Sequence, residues 1–295
     1  MELTCTNTLK IQNILDDFFN YLDVSELTIN SYKEGIKSFI RYIGDNEKPT
    51  REDILGFKNY LLCKYKPTTV NSRLTAVKQL FKWLSFRGIY PNIAENIKQV
   101  DVGDIDKNYP TLDEIKYIMS TIKTDYDRAL FGLLTTTGIR LKEVSNANIE
   151  DIQKLRGQTV LYVLGKGRKS KEEYVKVSDS LLKLLNAVIG ERKSGAIFLS
   201  TSNNNKGNRA SIRALYNRIK KIYENAGISK ETFTCHALRG SFSVIAMENG
   251  ASIYEISKVL RHKNIHTTEV YLRSLDRTKN KTEYLVSDMV LEVIK

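Results

Sequence analysis

The chain is poor in cysteine, and it contains no long hydrophobic run. Only three cysteines occur among its 295 residues, Cys5, Cys63 and Cys235, and their spacing fits neither a disulfide framework nor a metal site. No apolar stretch is long enough to cross a bilayer, and no secretory signal opens the sequence. We therefore expect a protein of the reducing cytoplasm that does not associate with membranes.

Acidic residues are also in short supply. Asp and Glu number 34 against 46 Lys and Arg, which gives a net charge of +12 and a pI of about 9.4. This balance favours a polyanionic partner such as nucleic acid. The length fits two domains of ordinary size, each able to bury a core.

The first hundred residues carry amphipathic helical patterns. Apolar residues recur at helical spacing over 8–22 and 28–43, and a capping signal at Thr50–Asp53 opens a third helix. A fourth helix is expected after Pro67, capped by Thr68 or Thr69. We predict a small all-α domain over residues 1–99, with Trp83 in its core and not in contact with bases.

A linker and a second domain follow. Residues 100–110 lack helical periodicity and contain Gly103 and Pro110, which indicates a linker. The second domain, residues 111–295, opens with a capping box of Thr111 and Glu114. Its patterns predict helices over 125–136, 181–188 and 211–226, and strands over 159–164 and 174–177. The predicted fold class is mainly α with a small β-sheet.

All three histidines lie in one stretch, residues 234–273. His236 and Arg239 are three apart and share a helix face. His262 follows a short helix that Ser252 and Glu255 open as a capping box. Thr267 or Thr268 is expected to cap the last helix, which carries Tyr271. The predicted inward face of the short helix comprises Ile253, Ile256, Val259 and Leu260.

These residue types suit phosphate chemistry. A tyrosine is a usable covalent nucleophile when nearby cations stabilise its phenolate. Arginine binds phosphate oxygens bidentately and stays charged, and histidine donates hydrogen bonds or moves protons near neutrality. The stretch could therefore attack a phosphodiester without a metal ion.

The motifs resemble those of the tyrosine recombinases, the phage-integrase and Xer group. HALRG at 236–240 and LRHKNIHTTEVYL at 260–272 match a pattern of H-x-x-R, then L-G-H, then a tyrosine nine positions later. TGIRLKE at 137–143 is similar to the family's T-G-x-R-x-x-E box, and GKG at 165–167 to its G-K-G turn. Two positions depart from the pattern, because Gly240 replaces a common histidine and Arg261 a glycine.

The resemblance implies an N-terminal core-binding domain that clamps DNA, a C-terminal catalytic domain and a set of site residues. Tyr271 would be the nucleophile and Lys166, or its neighbour Lys169, the general acid. Glu143 would orient catalytic side chains. The implied catalytic set is Arg140, Lys166, His236, Arg239, His262 and Tyr271.

The reaction implied by this resemblance is site-specific DNA recombination through a 3′-phosphotyrosine link and a Holliday junction, without ATP, metal or other cofactor. Its outcome could be integration and excision, inversion or resolution. The implied partners are double-stranded DNA recombination sites and three further copies in a homotetramer, alone or with a partner recombinase or accessory proteins. The C-terminal helix would dock on the next copy or on its own domain. Candidate DNA contacts are Arg73, Lys78, Lys82, Arg213 and Arg218.

Several alternatives stay open at this point. A type IB topoisomerase-like swivelling enzyme would use the same chemistry as a monomer, and a non-catalytic helix-turn-helix protein would suit the charge. A metal-dependent nuclease would need ligands, and His262 and His266 are spaced i,i+4, but no third ligand matches. Cys235 is more readily a buried thiol than a nucleophile, since adjacent helical residues do not face each other.

Overall fold

The computed structural model describes residues 2–103, 109–165, 168, 170–228, 233–272 and 282–292. For residues 2–10, 272, 282, 285 and 288 it describes the backbone alone. The fold is mainly α-helical with one small sheet, which confirms the predicted class. Two compact units span residues 1–105 and 106–295, so the division falls within the predicted linker. Among the described residues, no helix is long and apolar enough to span a membrane.

The first unit consists of four helices around an aromatic core. Phe39 packs edge-on against Phe57, with ring centroids 5.2 Å apart, and against Phe81 at 5.9 Å. Trp83 is 4% exposed and contacts Phe18, as the sequence predicts for a core residue. The helices are α1 (Glu2–Tyr21), α2 (Glu26–Ile43), α3 (Arg51–Leu62) and α4 (Pro67–Phe86).

The start of α4 differs from the prediction. Pro67 is the first helical residue and not a break before it, and Lys66 occupies the capping position. Proline suits this place because the first helical residue needs no N–H donor and its φ is already helical. Thr68 and Thr69 therefore lie inside the helix.

The second unit has a larger core, to which several of its helices and one face of the sheet contribute. Its helices are α5 (Leu112–Thr121), α6 (Asp125–Thr137), α7 (Leu141–Asn146), α8 (Asp179–Ile189), α9 (Ile212–Asn225), α10 (Cys235–Glu248), α11 (Ile253–Leu260), α12 (His266–Leu272) and α13 (Thr282–Leu291). The capping box at Thr111 is confirmed, since its backbone N–H donates to Glu114 at 2.8 Å and its hydroxyl accepts from the Glu114 N–H.

Three antiparallel strands form the sheet in the order β1 (Ile152–Leu155), β2 (Gln158–Val163) and β3 (Glu173–Lys176). Leu161 of β2 lies opposite Ile152 on one side and Val175 on the other. β1 was not predicted. Its turn uses Arg156 and Gly157, both with positive φ, which is the geometry of a tight hairpin.

The last helices place the histidine and tyrosine motifs. Ser252 and Glu255 form the predicted capping box of α11, and the Ser252 N–H donates to Glu255 at 2.8 Å. Val259 was expected to face inward, but it is 44% exposed. Helix α12 begins at His266, so neither Thr267 nor Thr268 is its cap.

Candidate active site

Arg140 stands at the start of α7, where a tight turn ends the preceding helix. Gly138 ends α6 in the left-handed conformation, with φ of 60°. The buried carboxylate of Glu143 accepts from the Arg140 backbone N–H at 2.9 Å and from its Nη1 at 2.9 Å. The Arg140 side chain keeps 30% of its surface exposed, whereas Glu143 keeps 2%. Glu143 therefore orients the Arg140 side chain, whose guanidinium can still reach a ligand, and the role of both residues in catalysis stays a prediction.

Arg239 is buried on α10 and holds two turns together. Its Nη1 donates to the Gly138 carbonyl and its Nη2 to the Leu260 carbonyl. Burial, reinforced by the charge of Arg140, lowers the pKa of Arg239 to about 10. The guanidinium still carries its charge at neutral pH, and its Nε has no hydrogen-bond partner among the described residues.

Tyr271 and His236 are in direct contact. The Tyr271 hydroxyl lies 2.8 Å from His236 Nε2. Burial raises the pKa of Tyr271, and the charge of Arg239 with a side-chain hydrogen bond partly offsets this effect. The phenol is therefore protonated near neutrality and can donate to Nε2 of a neutral imidazole. This arrangement suits transfer of the tyrosine proton to His236.

Thr268 orients His262, and the sequence did not indicate it as a site residue. Its Nδ1 lies 2.7 Å from Oγ1 of Thr268, whose side chain is fully buried. The imidazole stacks near Tyr271, with ring centroids 6.0 Å apart. Burial and the charges of Arg239 and Arg140 lower the pKa of His262 to about 4. When the threonine hydroxyl donates to Nδ1, the neutral ring carries its proton on Nε2, where it can donate to a substrate oxygen.

At Gly240, where the family pattern commonly has a histidine, an aromatic ring from the predicted linker occupies the space of a side chain. Tyr109 packs so closely that a Cβ at Gly240 would lie 2.2 Å from its ring. The same ring meets Tyr271 edge-on, with centroids 5.7 Å apart. Burial, with a smaller contribution from Tyr271, raises the pKa of Tyr109 to about 12. The linker position of Tyr109 gave no sequence signal for this role.

The departure at Arg261 is also accommodated. Arg261 follows α11 in the left-handed conformation, and its Nη2 donates to Glu143 Oε2 at 2.6 Å. Glu143 therefore binds two arginines, Arg140 and Arg261.

The resemblance implies a lysine as general acid. Lys166 and its neighbour Lys169 lie outside the described residues, between β2 and β3. Lys171 is occupied elsewhere, since its Nζ binds Asp151 and donates to the Asn146 carbonyl at 3.0 Å.

The predicted DNA contacts differ in their surroundings. Lys82 on α4 and Arg213 on α9 are exposed. Lys78 donates to the Ile97 carbonyl at 2.7 Å. Arg73 donates to Ser38 at 3.1 Å and covers the ring of Tyr65, and Arg218 is paired with Asp127. The last three therefore have contacts within their own units, and all five stay predictions.

The described part of the chain offers neither a metal site nor a reactive thiol at Cys235. There, no three His, Cys, Asp or Glu side chains are placed to hold a metal ion. The Nδ1 atoms of His262 and His266 bond Thr268 and Glu269. Burial raises the pKa of the Cys235 thiol to about 12, which makes it a poor nucleophile.

Five of the six predicted catalytic residues thus meet at one place: Arg140, His236, Arg239, His262 and Tyr271. Residues 109–278, more than half of the chain, match the model of the phage integrase family. The chain belongs to this family. Residues 15–88 match the phage integrase N-terminal SAM-like domain, which corresponds to the four-helix unit.

Curated relatives cover nearly the whole chain. It is 27% identical over 284 residues to the tyrosine recombinase XerD of Oceanobacillus iheyensis, covering 88% of this chain and 93% of the relative. It is also 27% identical over 284 residues to the tyrosine recombinase XerA of Pyrococcus horikoshii, covering 96% and 95%.

Solved structures share the fold. A lambda integrase dimer bound to a COC′ core site matches with a TM-score of 0.73 and 18% identity, over 94% of this chain and 82% of that one. A lambda integrase tetramer bound to a Holliday junction matches with a TM-score of 0.69 and 18% identity, over 86% and 77%.

Proposed function

We propose that the chain is a site-specific DNA recombinase that cuts and rejoins strands through a 3′-phosphotyrosine intermediate. The observation that carries this proposal is the Tyr271 hydroxyl, which is hydrogen-bonded to His236 Nε2 at 2.8 Å beside the charged Arg239. A nucleophile, a base and cations are thereby assembled within one family fold. Family membership and the recombinase relatives support the same activity.

Cleavage follows from this geometry. Arg140 and Arg239 bind the non-bridging oxygens, where charge builds in the transition state, and His262 Nε2 donates to the same group. The Tyr271 oxygen forms a bond to phosphorus as the bond to the 5′ oxygen breaks. The tyrosine proton passes to His236, and we assign to Lys166 the proton for the leaving 5′ oxygen.

Rejoining reverses these steps. The 5′-hydroxyl of a partner strand attacks the phosphotyrosine, and Tyr271 leaves. The covalent link conserves the energy of the phosphodiester, so the cycle needs no ATP.

Substrate access requires movement at the site. Arg239 and Tyr271 are 1% and 3% exposed. A phosphate can therefore contact both groups only after side chains of the site shift. DNA binding is the event that we expect to cause this shift.

The proposed partners are two double-stranded DNA sites and four copies of the chain. Helix α13 supports contacts between copies, because it exposes a set of apolar side chains that a neighbouring copy could cover: Tyr284, Val286, Met289, Val290 and Leu291. We propose that α13 docks on the next protomer. A DNA substrate of chromosomal or mobile-element origin implies a cytoplasmic protein.

The two alternatives are less favoured. A non-catalytic DNA-binding protein would have no need of a tyrosine–histidine pair beside buried arginines. A topoisomerase-like enzyme would act as a monomer on one site, whereas recombination needs two sites and an assembly. Measuring product topology and oligomeric state on a two-site substrate separates these activities.

The test is the variant Tyr271→Phe on nicked suicide substrates drawn from the native genomic surroundings, in EDTA. Phenylalanine keeps the ring that contacts Tyr109 and His262 but removes the nucleophilic oxygen. We expect unchanged DNA affinity and no denaturant-resistant adduct. Tyr254→Phe, on the 61% exposed Tyr254 of α11, is the matched control and should form the adduct normally. An adduct with Tyr271→Phe would refute the assignment.

A further inference from the structure

Arg261 adopts a backbone conformation that disfavours arginine. Its φ and ψ are 56° and 46°, in the left-handed region at the end of α11. Among the described residues only Asn96 and Arg156 also combine a side chain with positive φ. Glycine adopts this conformation without steric strain and is the usual residue at such helix ends. The strain needs a compensating contribution from the side chain.

The side chain of Arg261 is buried against acidic groups. It is 6% exposed, and its Nη2 donates to Glu143 Oε2 at 2.6 Å. Its Nη1 donates to the Val259 carbonyl at 3.0 Å. Its Nε lies 3.6 Å from Oε2 of Glu173, the first residue of β3. Arg261 is therefore enclosed by protein and has little surface with which to meet DNA.

Glu143 is shared between this arginine and Arg140. Oε1 accepts from Arg140 Nη1, while Oε2 accepts from the Arg140 backbone N–H and from Arg261. Two guanidinium groups thus face one carboxylate, which leaves this trio with a net positive charge, and Glu173, 3.6 Å from Arg261 Nε, offsets part of it. The Arg140 side chain, 30% exposed, is the member of the trio that can present that charge to a ligand.

Removing Arg261 would change this balance. Glu143 would then be paired with Arg140 alone, and the pair would be close to neutral. A neutral pair binds a phosphate and stabilises its developing charge less well than a cation does. The Arg140 guanidinium would also be drawn further toward the carboxylate, since Oε2 would lose one of its two donors and could accept from the guanidinium in its place.

We propose that Arg261 is a positioning residue that acts through Glu143, keeping the charge and direction of Arg140 available for the scissile phosphate. Its contact with Glu173 ties the same cluster to the start of β3. The inference rests on the proposed recombinase function and deepens it.

The test compares Arg261→Gly, Arg261→Lys and Glu143→Gln with the double variant Arg261→Gly/Glu143→Gln. Glycine relieves the strained backbone, and glutamine keeps the hydrogen-bonding oxygen at the start of α7. Single-turnover cleavage of the suicide substrate is measured at saturating protein, beside DNA affinity and thermal unfolding. Loss of a charge-assisted contact predicts a fall in the cleavage rate of about 10- to 100-fold in Arg261→Gly. DNA affinity should stay within about twofold, because many other phosphate contacts along the duplex supply most of it.

Two comparisons isolate the route through Glu143. Arg261→Lys, which restores the charge, should recover part of the lost rate. In the Glu143→Gln background, Arg261→Gly should change the rate by less than about threefold, because the carboxylate through which Arg261 acts is gone. A merely structural residue would lower stability and rate together in both backgrounds.

Three results would overturn the inference: wild-type cleavage by Arg261→Gly, no recovery in Arg261→Lys, or an equal loss in both Glu143 backgrounds. These results differ from a failure of the proposed function. If the wild-type chain itself forms no adduct on a substrate that it binds, the recombinase assignment fails first.

Discussion

Replacing Gly240 by alanine should disturb the surroundings of the nucleophile, because the ring of Tyr109 leaves no space for a Cβ atom. A Cβ at this position would lie 2.2 Å from Cε1 and 2.3 Å from Cδ1 of Tyr109. Non-bonded carbons need about 3.5 Å, so the ring must move by about 1.3 Å. Overpacking of this kind costs about 1–3 kcal/mol. In a unit of this size the melting temperature should fall by about 2–12 °C.

The cleavage rate should fall as well. The Tyr109 ring contacts Tyr271 edge-on, so its displacement shifts or loosens the nucleophile. A misplacement of about 1 Å at a reacting group can slow the chemistry by about 10²-fold. Calorimetry gives the stability, and single-turnover cleavage gives the rate.

Two further variants separate the steric clash at Gly240 from a general effect of alanine in a helix. Gly132→Ala is the matched control, since Gly132 is also helical but its nearest neighbour, Leu184 Cδ1, would lie 3.4 Å from the new Cβ. It should be neutral or slightly stabilising. Combining Gly240→Ala with Tyr109→Ala should relieve the clash but leave cleavage slow. Unchanged stability and rate in Gly240→Ala, or equal damage in Gly132→Ala, would contradict the packing argument.

Two other predictions concern His262. Thr268→Val removes the hydrogen-bond partner of His262 Nδ1, so it should lower the free energy of unfolding by about 1–3 kcal/mol and slow cleavage. Thr268→Ser keeps the hydroxyl and should leave both the stability and the cleavage rate unchanged. Urea unfolding measures the first quantity and suicide-substrate kinetics the second. Because the folded pKa of His262 is about 4 against 6.5 in the unfolded chain, the unfolded state takes up its proton first as pH falls. Stability should therefore decline between about pH 6.5 and 4, and His262→Gln should show a shallower decline in melting temperature; parallel curves would contradict the shifted pKa.

Local patterns in the sequence predict most of the helices and two of the three strands. Helix ends at Thr111 and Ser252 were predictable because a capping box involves residues three apart and needs no tertiary contact. Proline at the start of α4 is ambiguous in a sequence, because the same residue can break a helix or open one. The sequence does not predict β1, because its four residues are too few to display a clear alternation of apolar and polar side chains.

The candidate site divides in the same way. Motif spacing predicted the residues that the structure brings together, because each motif is short and contiguous. Thr268 was interpreted as a cap, since its type fits that use, and only tertiary structure turns its hydroxyl toward His262. The Arg261–Glu143 contact joins residues 118 positions apart, and the Tyr109–Gly240 contact depends on the path of the linker. Contacts of this range leave no periodic trace in one sequence.

The most direct test of Tyr271 as the nucleophile is to map the covalent adduct. The wild-type chain is trapped on a nicked suicide substrate in EDTA, digested, and examined by mass spectrometry. We predict that Tyr271 alone, among 16 tyrosines, carries a nucleotide through its 3′-phosphate and that the cleaved strand ends in a free 5′-hydroxyl. Attachment to another residue, or through a 5′-phosphate, would contradict it.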